Sequence, residues 1–321
     1  MSISSLKPIL SALNVEDLQY DLQSLPQSAC LLRHKHYEVW LATAAEIPSI
    51  LHEIGRLRET AFRQAGEGTG QEIDLDIYDT YYRHLFIWHT QRQEIIGAYR
   101  LGFSQDFFAK KGISGFYTWQ LFDYGDAFIA KLGACIELGR SFVRVEDQRN
   151  FVPLLLLWRG IATIASQNPQ YRKLFGPVSI SASIPPLFRQ LLAESLLKFH
   201  RPNEFSTDVY PRYPLTGDVF SPDMMAGIAN ANSVDELLAR FAPTLRMPVL
   251  LRQYLALNGQ LLAFSVDENF SNTLDGLVLV DLDQVGEQTL SRYMGAEATR
   301  IFLNKREFLD EHVVTSESCI A

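Results

Sequence analysis

The chain has 321 residues, of which 47% are hydrophobic, 12% aromatic and 21% charged. That composition is typical of a globular protein with a sizeable core, and it excludes a disordered chain or a collagen-like fibre. The length corresponds to about two domains of roughly 150 residues, or to one elaborated α/β domain. We favour one large domain with additions.

The charge balance and the cysteines narrow the class of protein further. The chain has 29 basic and 37 acidic side chains, a formal charge of −8, and such a field repels nucleic acid. Cys30, Cys135 and Cys319 are too few and too dispersed for a disulfide framework or a cysteine zinc site. No signal peptide and no apolar run of about 18 residues is recognisable, which predicts a cytoplasmic protein without a membrane span.

The first clear elements follow an N-terminal extension, residues 1–36. Residues 37–42 alternate like a strand, and the apolar residues of 47–61 recur at helical spacing. Two further strands, 85–88 and 95–101, predict a hairpin. After an aromatic connection, 135–145 is the best strand candidate in the chain, and its apolar character predicts a central position in the sheet.

The second half begins with alternating elements. An apolar helix (151–166), a strand (174–181) and a helix opened by prolines (185–199) continue the βαβα order. The remaining predictions are an irregular insertion at about 201–250 with a short helix at 234–241, two strands at 261–266 and 277–280, and a helical tail, 286–321. The main domain is therefore expected to span 37–285.

Familiar ligand motifs fail on their spacing or context. A calcium loop starting at Asp74 would need glycine where Asp79 stands and glutamate where Leu85 stands. His84 and His89 are five residues apart on a strand, so they are expected on opposite faces, and no metal site is predicted. The glycines between 66 and 70 neither follow a strand nor open a helix, so they predict no dinucleotide site.

A dispersed pattern of charged residues remains. It consists of Arg58-x-x-x-Phe62, Asp76-x-x-Asp79 followed by His84, Gly97-Ala98-Tyr99-Arg100-Leu101, and Glu137-Leu138-Gly139-Arg140-Ser141. In this order and spacing the segments resemble the GNAT-like long-chain N-acyltransferases, the hemolysin-like group that contains ornithine-lipid and N-acyl amino acid synthases. This group is related in fold to acyl-homoserine lactone synthases. The main resemblance covers residues 37–181, and a looser one continues through 254–259, 267–270 and 275–277.

The resemblance implies an α/β GNAT-like fold, a mixed, splayed sheet with helices on both faces. It also implies an amide-forming acyltransferase that moves a long-chain fatty acyl group from acyl carrier protein to the amine of a small amino acid or related acceptor. No tightly bound cofactor is expected, and the acyl thioester is a co-substrate. Because the product would be lipid-like, peripheral contact with the inner face of a membrane is expected.

Several of these residues have a chemical role that can be argued from their types. Arg58 and Phe62 lie one helical turn apart and share a face, which suits a cleft. Asp76 and Asp79 are predicted either to bind the acceptor ammonium or to clamp Arg58 and Arg100. Arg100 suits carboxylate recognition or those same aspartates. Each also has a purely structural alternative, a core helix, an exposed acidic loop or an ion pair.

Glu137 is the predicted general base, because an attacking ammonium must first lose a proton. A bulge at Gly139 would place Glu137 and Arg140 on the same side of the sheet, with Ser141 beside them in the substrate site. His84 competes for the base role. We expect a nearby arginine to hold this active-site carboxylate, with Arg140 as first choice and Arg58 or Arg100 as alternatives. The structural alternative is that Glu137 is only one half of a buried ion pair.

The loop after the central strand predicts the donor. GNAT enzymes that use acyl-CoA place glycine-rich backbone N–H groups there for the pyrophosphate, whereas residues 148–153 contain no glycine. Acyl carrier protein is therefore the preferred donor and acyl-CoA the alternative. The basic residues that would meet an acidic carrier protein, together with one polar neighbour, are Lys110, Lys111, Arg149, Asn150, Arg172 and Lys173.

Two other functions fit the same pattern. One is an acyl-homoserine lactone synthase-like enzyme, which would need a site for S-adenosylmethionine. The other is a non-catalytic acyl-binding or membrane-associated regulator.

Overall fold

An eight-stranded sheet is the centre of the computed structural model, which describes residues 6–202, 208–216 and 246–304 and the single positions 220, 236 and 239. Its strands are β1 (Cys30–His34), β2 (Tyr37–Thr43), β3 (Arg83–His89), β4 (Glu94–Phe103), β6 (Cys135–Val143), β7 (Lys173–Ile180), β9 (Gln260–Asp267) and β10 (Thr273–Asp281). Two short strands, β5 (Phe122–Tyr124) and β8 (Val209–Pro211), pair separately.

Helices cover both faces of the sheet. They are α1 (Val15–Ser24), α2 (Pro48–Gln64), α3 (Ser104–Lys111), α4 (Asp126–Leu132), α5 (Phe151–Gln167), α6 (Pro186–His200), α7 (Val249–Ala256) and α8 (Glu287–Met294). Residues 296–304 are also helical. Within the described residues, no helix is long and apolar enough to cross a bilayer.

Strand alternation sends neighbouring side chains to opposite layers of the core. Phe86 and Trp88 of β3 pack in the cluster that contains the apolar face of α2, whereas Leu85 and Ile87 pack with that of α5. All four residues are almost completely buried. The sheet is therefore covered on both faces, which explains why its strands read as nearly continuous apolar runs.

The order across the sheet is β1-β2-β3-β4-β6-β7-β10-β9. Neighbouring described strands run antiparallel except β6 and β7, which are parallel and pair only from Cys135 to Glu137 on β6. At Gly176, the next residue of β7, φ is +158° and a Cβ atom would stand 2.0 Å from the Leu138 carbonyl oxygen. Beyond this close approach the ladder ends and the strands diverge, which opens the sheet.

A bulge on β6 lies next to this opening. Gly139 pairs with Arg100 and Phe142 with Ala98, so Arg140 and Ser141 both stand opposite Tyr99. Arg140 has φ +49°, a conformation that is uncommon for a residue with a side chain. The predicted bulge is therefore present, but it is centred one residue after Gly139.

The mixed α/β class and the predicted elements agree with this architecture. The hairpin is β3–β4, and β6 is the fifth of the eight strands. The expected N-terminal extension contributes β1 to the sheet and packs α1 on α2, where Asp21 accepts hydrogen bonds from the Ser49 and Ile50 amides at 2.6 and 2.9 Å. The predicted helix at 234–241 and the tail after 304 lie outside the described residues, apart from positions 236 and 239.

Gly176→Ala tests the contact that separates β6 from β7. The added methyl group would meet backbone, which cannot move aside as a flexible side chain can, so we expect a loss of roughly 1–3 kcal/mol in the free energy of unfolding. Gly139→Ala on the neighbouring strand is the matched control, since its Cβ would meet nothing within 4 Å. Equal urea midpoints for the two variants would contradict the proposed contact.

Candidate active site

Three arginines and three aspartates alternate in a buried network beside the bulge. Arg58 of α2 lies 3.1 Å from Asp74 through Nε, and 2.8 and 3.0 Å from the two Asp79 oxygens through Nη1 and Nη2. Arg100 of β4 lies 2.6 Å from Asp76 and 3.0 Å from Asp79. The aspartates thus hold Arg58 and Arg100, which is the second of the two arrangements predicted from the sequence.

Arg140 completes this network from β6. Its Nε is 3.3 Å from Asp74 and its Nη2 is 3.8 Å from Asp76. The guanidinium also lies between two rings, 4.8 Å from the centre of Tyr117 and 4.6 Å from that of Phe270. Rings and carboxylates therefore fix the position of a cation that protrudes from the strand at a bulge.

The network sets the ionisation of its interior groups. Burial opposes ionisation of Asp79, but the charges of Arg58 and Arg100 outweigh it and hold the pKa of Asp79 far below its usual range. Burial lowers the pKa of His84 to about 4, against the attraction of Asp79, whose carbonyl oxygen is 3.0 Å from His84 Nε2. His84 is therefore neutral at physiological pH and lies inside the network.

Glu137 has different partners from those predicted. It is 1% exposed, and its oxygens accept hydrogen bonds from the Tyr117 and Thr118 amides, both at 2.9 Å, and from the hydroxyls of Thr118 and Tyr82. Burial raises its pKa, although these hydrogen bonds oppose the shift. The predicted arginine partner is wrong, because Asp74, Asp76 and Asp79 take up all three arginines and a separate set of donors satisfies Glu137.

A cavity of about 490 Å³ opens where β6 and β7 diverge. Its wall includes Arg140 and Ser141 of β6, Val178 and Ser179 of β7, and Phe62 at the end of α2. Further lining residues come from α5 and α7 and from β10, among them Phe151, Leu154, Val249, Tyr254 and Asp275. The cavity is mainly apolar, with a few polar groups on one part of its wall, as expected for a small-molecule site.

The structure divides the predicted site residues into two groups. Phe62, Arg140, Ser141 and Asn150 line the cavity. Outside its lining lie Arg58, Asp76, Asp79, His84, Arg100 and Glu137. The two predicted bases are in the second group, so a direct proton transfer by Glu137 or His84 has no geometric support here. Arg58 and Phe62, predicted to share one cleft, are divided between the network and the cavity.

Two acidic residues on the cavity wall were not predicted. Glu67 lies in the glycine-containing loop after α2, and Asp275 is in the middle of β10. A carboxylate within the otherwise apolar run of β10 was the available signal for Asp275. The glycines around Glu67 pointed only to a loop.

Tyr99 of β4 also lines the cavity. Its hydroxyl is buried, and burial raises its pKa, while hydrogen bonding with the Ser141 and Tyr254 side chains opposes that shift.

The loop before α5 leaves few backbone N–H groups free. The amides of Asp147, Gln148 and Asn150 donate to backbone carbonyl oxygens. The Val152 amide donates to the Asn150 side chain at 3.0 Å, and Pro153 has no N–H. Most groups that a helix N-terminus would offer to a phosphate are therefore occupied or absent.

The predicted basic patch is split between the two ends of the sheet. Lys110 and Lys111 follow β4, and Arg172 and Lys173 lie at the start of β7, at the end where β6 begins. Arg149 follows β6 at its other end, next to the cavity residues Gln148 and Asn150. The nine residues of β6 separate the two groups by roughly 25 Å, so a single continuous patch is wrong.

Glu137→Gln tests how firmly this carboxylate organises the segment at residues 116–118. The substituted NH₂ group would face N–H and O–H donors, so we expect a loss of roughly 1–3 kcal/mol in the free energy of unfolding. Asp123→Asn, at a largely exposed carboxylate, is the control. Turnover is measured together with the thermal midpoint: an unchanged midpoint with activity lost would restore Glu137 as a directly reacting group.

Comparison with known proteins matches residues 57–159 to the acetyltransferase (GNAT) domain. The chain is 35% identical over 193 residues to a glycine N(alpha)-acyltransferase of Bacteroides thetaiotaomicron, covering 56% of this chain and 57% of that protein. A protein of the same name from Phocaeicola vulgatus is 34% identical, covering 46% and 49%. The chain thus spans about half the length of these two relatives.

A third relative is matched over more of its length. The chain is 28% identical to an L-ornithine N(alpha)-acyltransferase of Brucella abortus, covering 72% of this chain and 77% of that protein. Among solved structures, the CoA-dependent acyl-homoserine lactone synthase MesI is 12% identical with a TM-score of 0.37, covering 80% of this chain and 95% of that one. The predicted resemblance is confirmed at the level of the domain: this chain contains a GNAT acetyltransferase domain.

Proposed function

We propose that the chain is an amide-forming N-acyltransferase that moves a long-chain fatty acyl group from acyl carrier protein to the amine of a small amino acid. The observation that carries the proposal is the apolar cavity between the diverging strands β6 and β7, with the Arg140 guanidinium and two buried carboxyls on its wall. The names of the relatives, glycine and ornithine N(alpha)-acyltransferase, support an amino acid acceptor.

Arg140 is the group that suits the acceptor carboxylate. A guanidinium offers five N–H donors in a planar fork that matches a carboxylate. Its side chain reaches the cavity while Asp74, Asp76 and the rings of Tyr117 and Phe270 hold its position. Because the aspartates only partly neutralise it, it retains attraction for an anion.

Glu137 acts in this scheme as a positioning residue. It binds the amides of Tyr117 and Thr118, and the Tyr117 hydroxyl lies 3.4 Å from Arg140 Nη1 and 2.6 Å from Asp267. The carboxylate thus fixes the segment whose ring supports Arg140. Glu137 can therefore contribute to the site through Tyr117 and Arg140 without contacting the substrate itself.

The thioester carbonyl has a hydrogen-bond donor in Tyr99. Tyr99 lines the cavity on the strand next to β6, opposite the bulge. Attack by an amine places negative charge on the carbonyl oxygen, and a fixed donor stabilises that charge. The apolar wall from α5, including Phe151 and Leu154, suits the acyl chain, whereas the aromatic residues Phe107 and Phe116 pack in a separate core cluster.

The occupied amides before α5 support acyl carrier protein as the donor. Purified chain is assayed with glycine and either hexadecanoyl carrier protein or acetyl-CoA, and the product is identified by mass spectrometry. We expect N-hexadecanoylglycine, formed far faster than N-acetylglycine, because most of the backbone N–H groups before α5 that could bind the CoA pyrophosphate are occupied or absent.

The other outcomes of this assay discriminate the alternatives. Equal or faster turnover of acetyl-CoA would overturn the choice of donor. A lactone product that needs S-adenosylmethionine would identify the synthase-like alternative. Binding of the acyl chain without any transfer would identify the regulator.

Peripheral membrane contact is proposed at the cavity mouth. Phe151 at the start of α5 and Val249 at the start of α7 both line the cavity, yet they are 61% and 47% exposed. Exposed apolar side chains beside the exit of a lipid-like product suit an interfacial surface.

The double variant Phe151→Ser, Val249→Ser tests this contact by vesicle flotation. We expect it to float with anionic vesicles to a several-fold smaller extent than the unmodified chain. Tyr20→Ser, at an exposed aromatic residue of α1 outside the cavity lining, is the control and should float normally. Failure of the unmodified chain to float with any vesicle would count against membrane contact.

A further inference from the structure

Two carboxyls from distant parts of the sequence, Glu67 and Asp275, line the same cavity as Arg140. Glu67 is held there by its loop: its amide donates to the Phe62 carbonyl at 2.8 Å, and the Ser181 and Ser271 hydroxyls donate to the Ala65 and Gly68 carbonyls at 3.0 and 2.8 Å. Asp275 is held by its strand, in register with Ser179 on β7 and Ser265 on β9. Both are thus fixed by backbone contacts.

The carboxyls differ from the aspartates of the buried network in forming no ion pair with another described side chain. Asp275 is 2% exposed and accepts a hydrogen bond from Thr273 at 3.2 Å, and the Ser179 hydroxyl also favours its charged form. The Glu67 carboxylate makes no hydrogen bond to another described side chain. Glu67 is one of the residues that line the cavity.

The charged and titratable neighbours of this pair come from every adjoining element. They are Arg140 on β6, Asp267 on β9, Tyr117 before β5, and the ion pair of Glu59 with Arg63 on α2. Burial, and then the negative charge of Asp275, raises the pKa of Glu67 to about 8. Burial, and then Asp267, raises the pKa of Asp275 to about 7.

We propose that Glu67 and Asp275 together bind the ammonium group of the acceptor and take its proton, while Arg140 binds the acceptor carboxylate. This inference rests on the proposed function and names the substrate class of its site, an α-amino acid bound as a zwitterion. The position of all three residues in the lining of one cavity carries it.

One N–H proton of the ammonium passes to the carboxylate pair, and the freed lone pair forms a C–N bond with the thioester carbonyl carbon. Collapse of the tetrahedral adduct breaks the C–S bond, and the sulfur leaves as a thiol with a second proton from the same nitrogen. The pair then releases its proton to water, so the products are an amide, a thiol and one proton.

The variants Glu67→Gln and Asp275→Asn test the pair, singly and combined. Each keeps the shape of its side chain but cannot take a proton, so we expect kcat to fall roughly 10²–10⁴-fold, the range that general-base removal costs. In the unmodified chain kcat/KM should rise with pH through about 7 to 8, since the carboxyls must ionise to act. Glu268→Gln, at an exposed carboxylate outside the cavity lining, should retain full activity.

Thermal midpoints separate lost chemistry from lost folding. The raised pKa of Asp275 means that the folded chain binds a proton there more tightly than the unfolded chain, so stability falls as pH rises from about 4 to about 7. Asp275→Asn removes that penalty. Its midpoint should equal or exceed that of the unmodified chain, and by a margin that grows over this pH interval.

A binding measurement keeps the inference separate from the proposed function. Glycine and acetate are titrated calorimetrically into the unmodified chain and into the double variant. We expect the double variant to lose at least tenfold in glycine affinity and to keep its acetate affinity, because acetate lacks the ammonium group. Unchanged glycine affinity, or full turnover in the double variant, would overturn the role assigned to Glu67 and Asp275. Absence of acyl transfer by the unmodified chain would instead overturn the proposed function. The glycine titration would then decide by itself whether the two carboxyls bind an ammonium group.

Discussion

The alternation of three arginines with three aspartates is the interaction on which the site depends. It joins α2, the loop that carries the three aspartates, β4 and β6, and Arg58 and Arg100 are almost completely buried within it. Burying so many charges costs free energy that their mutual attraction only partly offsets, so the network is a poor source of stability. Its physical consequence is positional: each guanidinium has a fixed partner. Arg140 can therefore hold an unfavourable backbone conformation and still present a defined cation to the cavity.

The cavity has a second cause, the short parallel pairing of β6 with β7. Three residue pairs connect the strands before the close approach of Gly176 to Leu138 ends the ladder. A sheet that continued to pair would fill this space with backbone hydrogen bonds. Because the strands part instead, their unpaired ends and the start of α5 enclose a space bounded by apolar side chains, with polar groups contributed by the bulge and by β10. The bulge and the parting of the strands thus supply the two halves of one site.

Most elements could be predicted because their signals are local. Alternation in β2, the hairpin β3–β4, the apolar run of β6 and the proline at the start of α6 each follow from neighbouring residues. The partners of Glu137 could not be predicted, because its donors lie 19 to 55 residues away in two separate segments, at Tyr82 and at residues 117–118. Neither segment has a hydrophobic periodicity that relates it to β6. The same holds for Glu67 and Asp275, whose meeting depends on a turn between β9 and β10 contacting the loop after α2. The prediction of one continuous basic patch was wrong because the residue types alone do not show at which end of the sheet each basic residue lies.

The two kinds of carboxyl in this region differ because of what surrounds them. Asp79 lies between two guanidiniums and stays ionised, so it cannot accept a proton near neutral pH. Glu67 and Asp275 form no ion pair with a described side chain, and burial together with nearby like charge raises the pKa of both. Together with Arg140 they give the cavity wall groups of both signs. An amino acid zwitterion has one positive and one negative group, and each can bind a group of the opposite sign on the cavity wall. On entry it replaces its contacts with water by contacts with these fixed groups, and it adds no net charge to an apolar space. A simple amine or a simple carboxylate would leave one of these charges unpaired, and this imbalance is the physical basis on which such a site would select an amino acid.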